Sequence, residues 1–417
     1  MAVSINFDFE PYINSYKGRT RIKRALFIAE HCPSLEVEAY HFAVNDIKQQ
    51  LSDIELYQAC IKKLNAALTR RNEPMVDIDA AWVDATTKKN KRNLEQLETE
   101  LKTCKTSVVK ESIRIAQTNL GDYYYDVGKM SDASKCYSRT RDYCSTSKSI
   151  LDMCFNMIKV HLEERHYVHV HSYIVRAETT PQIPDKVNTI SRLKCCQAIA
   201  SLFISDANRY QTVAQCLTQG VALESSHLIH DIMSPNDVAL YGGLCALASF
   251  ERSQLHDLIS SNVAFKGYLE LVPHVREIME YFHASKYAAC FSLMENYRED
   301  WKLDIYLNSH IDPIFQCVRE KAMVQYCIPY SIVDLGRMAS AFHTTVDQLE
   351  SELVKLIGQK GKIDGRIDSH EKVLYFKQQD QRKKAFDQSL GLAVEYEKSA
   401  KALMLRLNLL KSNMIVQ

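Results

Sequence analysis

YSIVDLGRMASAFHTTVDQLESELVKLIGQKGKIDGRIDSHEKVLYFKQ, Tyr330 to Gln378, is the stretch that decides the fold. Leu335, Met338, Ala339 and Phe342 recur at helical spacing over Ile332 to Phe342, and His343 and Thr344 interrupt them. Val346, Leu349, Leu353, Leu356 and Ile357 then predict a second amphipathic helix with Thr345 at its N-cap. Gly358 and Gly361 stop it, and Ile363 to Asp368 and Lys372 to Phe376 alternate with period two about a tight turn at Ser369 and His370. Helix, turn, helix and two short strands make the pattern of a winged helix.

Everything outward of this stretch reads as helix. Only 12 glycines and 9 prolines punctuate 417 residues, about half their average usage, so long helices are expected and an all-β fold is disfavoured. The length suits about two or three domains, and 46% hydrophobic residues supply an ample core. Fifty-two basic and 51 acidic side chains leave a formal charge of +1, which removes the global attraction behind non-specific nucleic-acid binding. Thirteen cysteines, an odd number with no Cys-x-x-Cys pair, argue against a disulfide framework or zinc ribbon and for reduced, buried thiols. No signal peptide and no membrane-length apolar run is read, so a soluble intracellular protein is expected.

In chain order, Arg21 to His31, a helix through Val37, Tyr40 and Val44, and one through Ile54, Tyr57, Ile61, Leu64 and Leu68 each have one face to bury. Ser34 is read as the cap of the second. Asp79 opens a longer helix striped by Leu94, Leu97, Leu101, Cys104 and Val108, and Lys88, Lys89, Lys91 and Arg92 beside it read as a solvated face. From Leu120 a repeat begins. Leu120, Gly121, Tyr124, Gly128, Ala133 and Tyr137 fall at the spacings of a tetratricopeptide (TPR) hairpin, in which Gly121 and Ala133 let two helices approach and the tyrosines fill between them. Its core step recurs at Met130, Ala133, Tyr137; at Tyr167, Val170, Ile174; at Tyr210, Val213, Leu217; and at Tyr287, Cys290, Met294, with a degenerate copy at Leu255 and Leu258. Spacings of roughly 35 to 45 residues suit stacked helix pairs, with linkers at Thr179 to Pro184 and Ser234 to Asn236.

The expected fold is therefore mostly α: a TPR-like α-solenoid running into a winged-helix subdomain, followed by a long C-terminal helix. The expected divisions are an N-terminal helical region (1–109), helical repeats (110–309), the winged helix (310–378) and the last helix (379–417). That helix keeps a heptad stripe of Ala393, Tyr396, Ala400, Leu403, Leu407, Leu410 and Met414, past a weak point at Gly391, and should have a partner helix.

No constellation for chemistry is complete. His169-Val170-His171 matches the His-x-His of metal-dependent isopeptidases, but Thr179 and Gln182 stand where Ser and Asp are needed. His161 and His166 are five apart, with Leu162 after the first, and fail the zincin spacing. No catalytic, metal or cofactor-binding residue is assigned. Gly358 to Gly365 lies between a helix and a strand, the reverse of a phosphate-binding loop. Groove reading by the second winged-helix helix is disfavoured, because it carries Asp347, Glu350 and Glu352 against Lys355; Lys360, Lys362, Arg366 and Lys372 leave only weak contact with phosphates. The strand edge at Ile363, Arg366, Ile367, Val373 and Tyr375 reads instead as a pairing surface for another chain.

Helical repeats, a winged helix and a long terminal helix resemble a PCI-domain subunit, of the kind shared by the proteasome lid, the signalosome and a translation initiation factor. Tyr16-Lys-Gly18, Arg21-Ile-Lys-Arg24, Phe27 to Pro33, Gly121-Asp-Tyr through Lys135 to Cys144, and Ser234-Pro-Asn through Tyr241 to Ala248 resemble the subunit-one family of the constitutive photomorphogenesis (COP) signalosome. The resemblance implies a non-catalytic scaffold, in cytoplasm and nucleus, of the complex that removes the ubiquitin-like modifier NEDD from cullin-RING ubiquitin ligases, with the metal site on another subunit. It further implies partners at the winged-helix edge (other PCI subunits), at the terminal helix (a common bundle) and, at the N-terminal region, a cullin-RING ligase; membrane and nucleic acid are not expected. The alternatives are a PCI subunit of the lid or of an initiation factor, and a nucleic-acid-binding winged helix.

Overall fold

The computed structural model describes residues 7–107, 109–222, 230–358, 362–376 and 381–412. Two compact units divide the chain, residues 1–322 and 323–417.

The first unit opens with α1 (Phe9–Asn14), α2 (Gly18–His31), α3 (Glu36–Gln50) and α4 (Ile54–Arg71), which pool their apolar faces around Ile22, Ile28, Ile47, Ile61 and Leu64. Leu35, not Ser34, occupies the cap position of α3. Asp53 caps α4 by accepting from the Leu56 N–H at 3.0 Å, and Asn72 ends it in the left-handed conformation at φ 56°. In α5 (Ala80–Ser107) the stripe Leu94, Leu97, Leu101 and Cys104 packs against Ile113, Ala116 and Leu120, while Lys88, Lys89, Lys91 and Arg92 are exposed. Val108 lies outside the described residues.

Helical hairpins follow: α6 (Lys110–Val127) with α7 (Met130–Thr140), α8 (Ser147–Glu163) with α9 (Tyr167–Glu178), and α10 (Lys186–Phe203) with α11 (Arg209–Gln219). Gly121 is required by close approach, since a Cβ there would stand 2.5 Å from Cε1 of Tyr137. The repeated step marks the second helix of each pair, where Ala133, Val170, Ile174, Val213 and Leu217 are almost wholly buried. Tyr137 donates to Asp122 Oδ1 at 2.6 Å, so the buried phenol is satisfied. Ala133 and Tyr137 also meet Met157 and Val160 of the next pair, which is how one hairpin covers its neighbour.

Three of the hairpin turns, α6–α7, α8–α9 and α15–α16, share one geometry that the side-chain pattern did not announce. Gly128, Arg165 and Ser285 are left-handed (φ 90°, 60° and 58°), each two residues before the first helical residue of the following helix. The N–H after each closes back on the carbonyl five residues earlier, Lys129 to Tyr124, His166 to His161 and Lys286 to Tyr281, all at 2.9 Å.

Beyond α11 stand α12 (Pro235–Ser249), α13 (Arg252–Ser260), α14 (Val263–Leu269), α15 (Pro273–His283), α16 (Tyr287–Lys302) and α17 (Ile311–Cys327), with α15 and α16 forming another pair. Ser234 to Asn236, read as a linker, instead starts α12: Ser234 and Asp237 form a reciprocal capping box and Pro235 takes the first turn, where its missing N–H costs nothing. Val238, Ala239, Tyr241, Leu244, Cys245 and Leu247 are buried, so α12 is covered on all sides, as an all-round apolar helix must be.

The second unit contains β1 (Ile332–Asp334), α18 (Leu335–Ala341), α19 (Val346–Gly358), β2 (Gly365–Asp368), β3 (Val373–Phe376) and α20 (Gln381–Lys411). Leu335, Met338, Phe342, Leu349, Leu353, Leu356 and Leu374 are buried, and Tyr326 meets Phe342 edge-on at 5.7 Å. The helix expected from Ile332 begins three residues later. Asp334 is extended (ψ 119°) and accepts from the Gly336 N–H at 2.7 Å, so it caps α18, and the three residues before the helix pair with β3 as a strand. The sheet order is β1-β3-β2, all antiparallel. Lys360, Gly361 and Gln378 lie outside the described residues.

Candidate assembly surfaces

Three strands assign each side chain of the sheet to a face. Ile332, Tyr375 and Arg366 form one cross-strand row, and Val333, Leu374 and Ile367 the next, on the opposite face. Val333 and Leu374 are buried, which makes theirs the core face, whereas Ile332 and Tyr375 are exposed. The expected pairing surface is corrected accordingly. Ile363 is buried and Ile367 sits in the core-facing row, because a period of two turns alternate residues inward; Arg366, Val373 and Tyr375 face outward. β3 is the central strand, hydrogen-bonded on both sides, so Val373 and Tyr375 offer side chains but no free backbone edge. The outer strands are β1 and β2. Ile332, and Ile328 and Tyr330 just before it, are exposed apolar residues that reading Ile332 as helical concealed.

The acidic side of α19 is partly spent inside the unit. Glu350 accepts from Lys372 Nζ at 2.8 Å and from the Ser369 hydroxyl, and these bonds hold its carboxyl below the usual range. Asp347 Oδ1 stands 3.8 Å from the same ammonium. Lys372 is thereby drawn to carboxylates, which weakens the wing's appeal to phosphates.

Helix α20 runs unbroken through Gly391. Ala393, Tyr396, Leu403, Leu407 and Leu410 are exposed and Ala400 is half-buried; Met414 lies outside the described residues. Tyr396 is 78%, Leu403 62% and Leu407 54% exposed. Phe386, Leu390 and Val394, at four-residue steps on an adjoining face, are exposed as well, so the apolar sector is wider than the heptad stripe alone. No described helix is long and apolar enough to cross a membrane. A sector this wide fits contact with more than one partner helix.

The first unit does the opposite and buries charge. Arg24 of α2 is 1% exposed; its Nη1 donates to Asp304 Oδ2 at 2.6 Å and its Nη2 to Asp237 Oδ2 at 3.0 Å. Tyr16 donates to Asp237 at 2.7 Å, Tyr241 to Asp304 at 2.6 Å, and the Tyr16 ring lies 4.1 Å beneath the guanidinium. Burial pushes the Asp237 carboxyl up, opposed by Arg24; at Asp304 burial acts the same way, but the Arg24 charge and the Tyr241 hydroxyl outweigh it and lower the carboxyl. This lock ties the N-terminal helices to α12 and to the Asp304 turn, over 200 residues away. The sequence held one signal for it, an arginine in phase with Ala25 and Ile28 on the buried face of α2.

The repeat residues Leu120, Gly121, Tyr124, Ala133 and Tyr137 come together between α6 and α7. Of the histidines, His161 and His166 meet with Glu164 at the α8–α9 turn, the donor atoms of the three within 4.8 Å of one another. His169 stands close by, its ring 5.2 Å from that of His161, and His171 is exposed on α9. Spacing rules written for one continuous helix passed over this set, because the turn at Arg165 folds the chain back between its members.

Comparison with known proteins finds two families along the chain. A family described as 26S proteasome subunit RPN7 matches residues 79–258, and the PCI domain matches residues 294–378. COP9 signalosome complex subunit 1 of Arabidopsis thaliana is 39% identical, over 97% of this chain and 90% of that protein. COP9 signalosome complex subunit 1b of Drosophila melanogaster is 34% identical, over 99% of this chain and 87% of its own length. The 26S proteasome non-ATPase regulatory subunit 6 of Caenorhabditis elegans is 22% identical over 85% of the chain and 88% of that protein.

Proposed function

The chain belongs to the COP9 signalosome subunit 1 family, and from that premise we propose that it is a non-catalytic scaffold subunit of a signalosome. The complex it serves removes the NEDD modifier from cullin-RING ubiquitin ligases, in cytoplasm and nucleus, with the metal site of the isopeptidase on another subunit. This chain supplies shape and contact surfaces. The observation that carries the reading is α20, which leaves a wide apolar sector in solvent. Helices of this kind gain about 1.5–3 kcal/mol for each large side chain they cover, and α20 gains it in a bundle with further subunits. The outward row of Ile332, Tyr375 and Arg366 and the outer strands β1 and β2 provide the contact to a neighbouring PCI subunit. The N-terminal helices, fixed by the Arg24 lock, present a rigid surface to a ligase.

The competing membership is the proteasome lid, supported by the match over residues 79–258. The higher identity to signalosome subunits over almost the whole chain favours the first reading. Co-expression with signalosome subunits in one culture and lid subunits in another, followed by gel filtration, separates the two. Co-elution with the signalosome set alone is expected, and co-elution with the lid set alone overturns the proposal.

A further inference from the structure

The α8–α9 turn gathers donors from both sides of one bend. His161 is in the last turn of α8, Glu164 ends that helix, His166 precedes α9 and His169 lies in its first turn. The left-handed Arg165 between them, at φ 60°, brings the two helix ends together. Glu164 Oε2 lies 3.4 Å from Nδ1 of His161 and 3.2 Å from Nδ1 of His166. A tetrahedral zinc ion with bonds of about 2.0–2.1 Å separates its ligand atoms by about 3.3–3.4 Å; the His161 separation has that length, and the His166 one, a hydrogen bond without the ion, is close to it. Rings bound through Nδ1 to one such ion have centroids roughly 5–5.5 Å apart. The three histidine rings stand 5.2, 6.1 and 6.2 Å from one another; the donor atoms of His161, Glu164 and His166 lie within 4.8 Å of one another, and His169 completes the set by turning its ring towards them.

His161 adds an independent observation. It is 9% exposed, and its Nδ1 stands 3.4 Å from the Glu164 carboxylate without a hydrogen-bond partner. The same backbone turn is built elsewhere in the chain without such donors. At the α6–α7 turn the equivalent positions are Tyr124, Val127, Lys129 and Asp132. The bend therefore does not require this side-chain set.

We propose that His161, Glu164, His166 and His169 bind one Zn²⁺ ion in a tetrahedral N₃O site that staples the α8–α9 hairpin. Binding places the proton of each coordinating ring on its other nitrogen and leaves Glu164 ionised, so no redox partner or further reactant is involved. The site closes all four positions with protein ligands, which suits a structural ion and leaves no open place for substrate.

Co²⁺ replaces Zn²⁺ as the probe, added to the metal-free, reduced full-length chain. One ion per chain is expected, with the visible d–d absorption of tetrahedral nitrogen and oxygen ligation and no thiolate charge-transfer band; Zn²⁺ should displace it. Glu164→Gln and His166→Ala lie at a turn rather than in the core, and circular dichroism checks that they fold. Each should weaken the affinity by about 100-fold or more. Three results overturn the proposal: no saturable tetrahedral spectrum, a thiolate band showing that cysteines bind the metal, or a spectrum and affinity that both variants leave unchanged.

Discussion

The Arg24 lock and helix α20 handle unfavourable surface in opposite ways. Around Arg24, two carboxylates, a guanidinium and the tyrosine hydroxyls are taken out of water, and the charged atoms find partners within the same chain. Along α20, large apolar side chains that would gain from burial stay in water. The first region satisfies its charges within the chain, save for Arg24 Nε, which has no hydrogen-bond partner, and the second leaves its apolar sector uncovered. That difference separates what the chain does for its own fold from what it holds out to other chains, and damage to each should be read by a different assay.

The largest effect on folding is expected at the lock. Arg24→Met leaves Asp237 and Asp304 buried beside one another without a cation, and removing one partner of such a pair costs about 3–5 kcal/mol. A fall of that size in unfolding free energy by denaturant titration is the expected outcome; a change below about 1 kcal/mol would show that the lock is not what fastens α2. Next comes Gly121→Ala, whose new Cβ meets the Tyr137 ring and should cost about 1–3 kcal/mol by the same titration.

A smaller effect depends on pH. Burial holds the His274 imidazole down at about 4, while in the unfolded chain it takes up a proton near its ordinary value of about 6.5. Between those values the unfolded state binds more protons, so this residue makes stability fall as pH drops from about 6.5 towards 4. His274→Gln should flatten the decline in melting temperature over that window, and an unchanged slope would rule His274 out. Least of all on folding, Leu403→Asp with Leu407→Asp should move stability by no more than about 0.5 kcal/mol, because both residues are exposed. A large loss there would erase the contrast between the two regions.

How far the sequence alone reached follows the same contrast. Repetition made the hairpins legible, since Ala133, Val170 and Val213 sit at matching positions and each is buried for the same packing reason. The terminal helix was legible because its stripe is local. The Arg24 lock was not, since its partners lie 213 and 280 residues away and no short-range periodicity joins them. Ile332-Val-Asp leading into Leu335 fits a helical stripe, and only pairing with Val373 to Tyr375 makes these three residues a strand. That strand in turn moved Ile363 and Ile367 to the core side and left Arg366, Val373 and Tyr375 outside.

Gel filtration of co-expressed complexes tests the central claim most directly, comparing the full chain with residues 1–380. If α20 holds the chain in a signalosome, the full chain co-elutes with the other subunits, and the truncated chain elutes alone while keeping its melting temperature and losing only the helical circular dichroism of the deleted residues. A truncated chain that is still folded and still co-elutes with the complex would contradict the account.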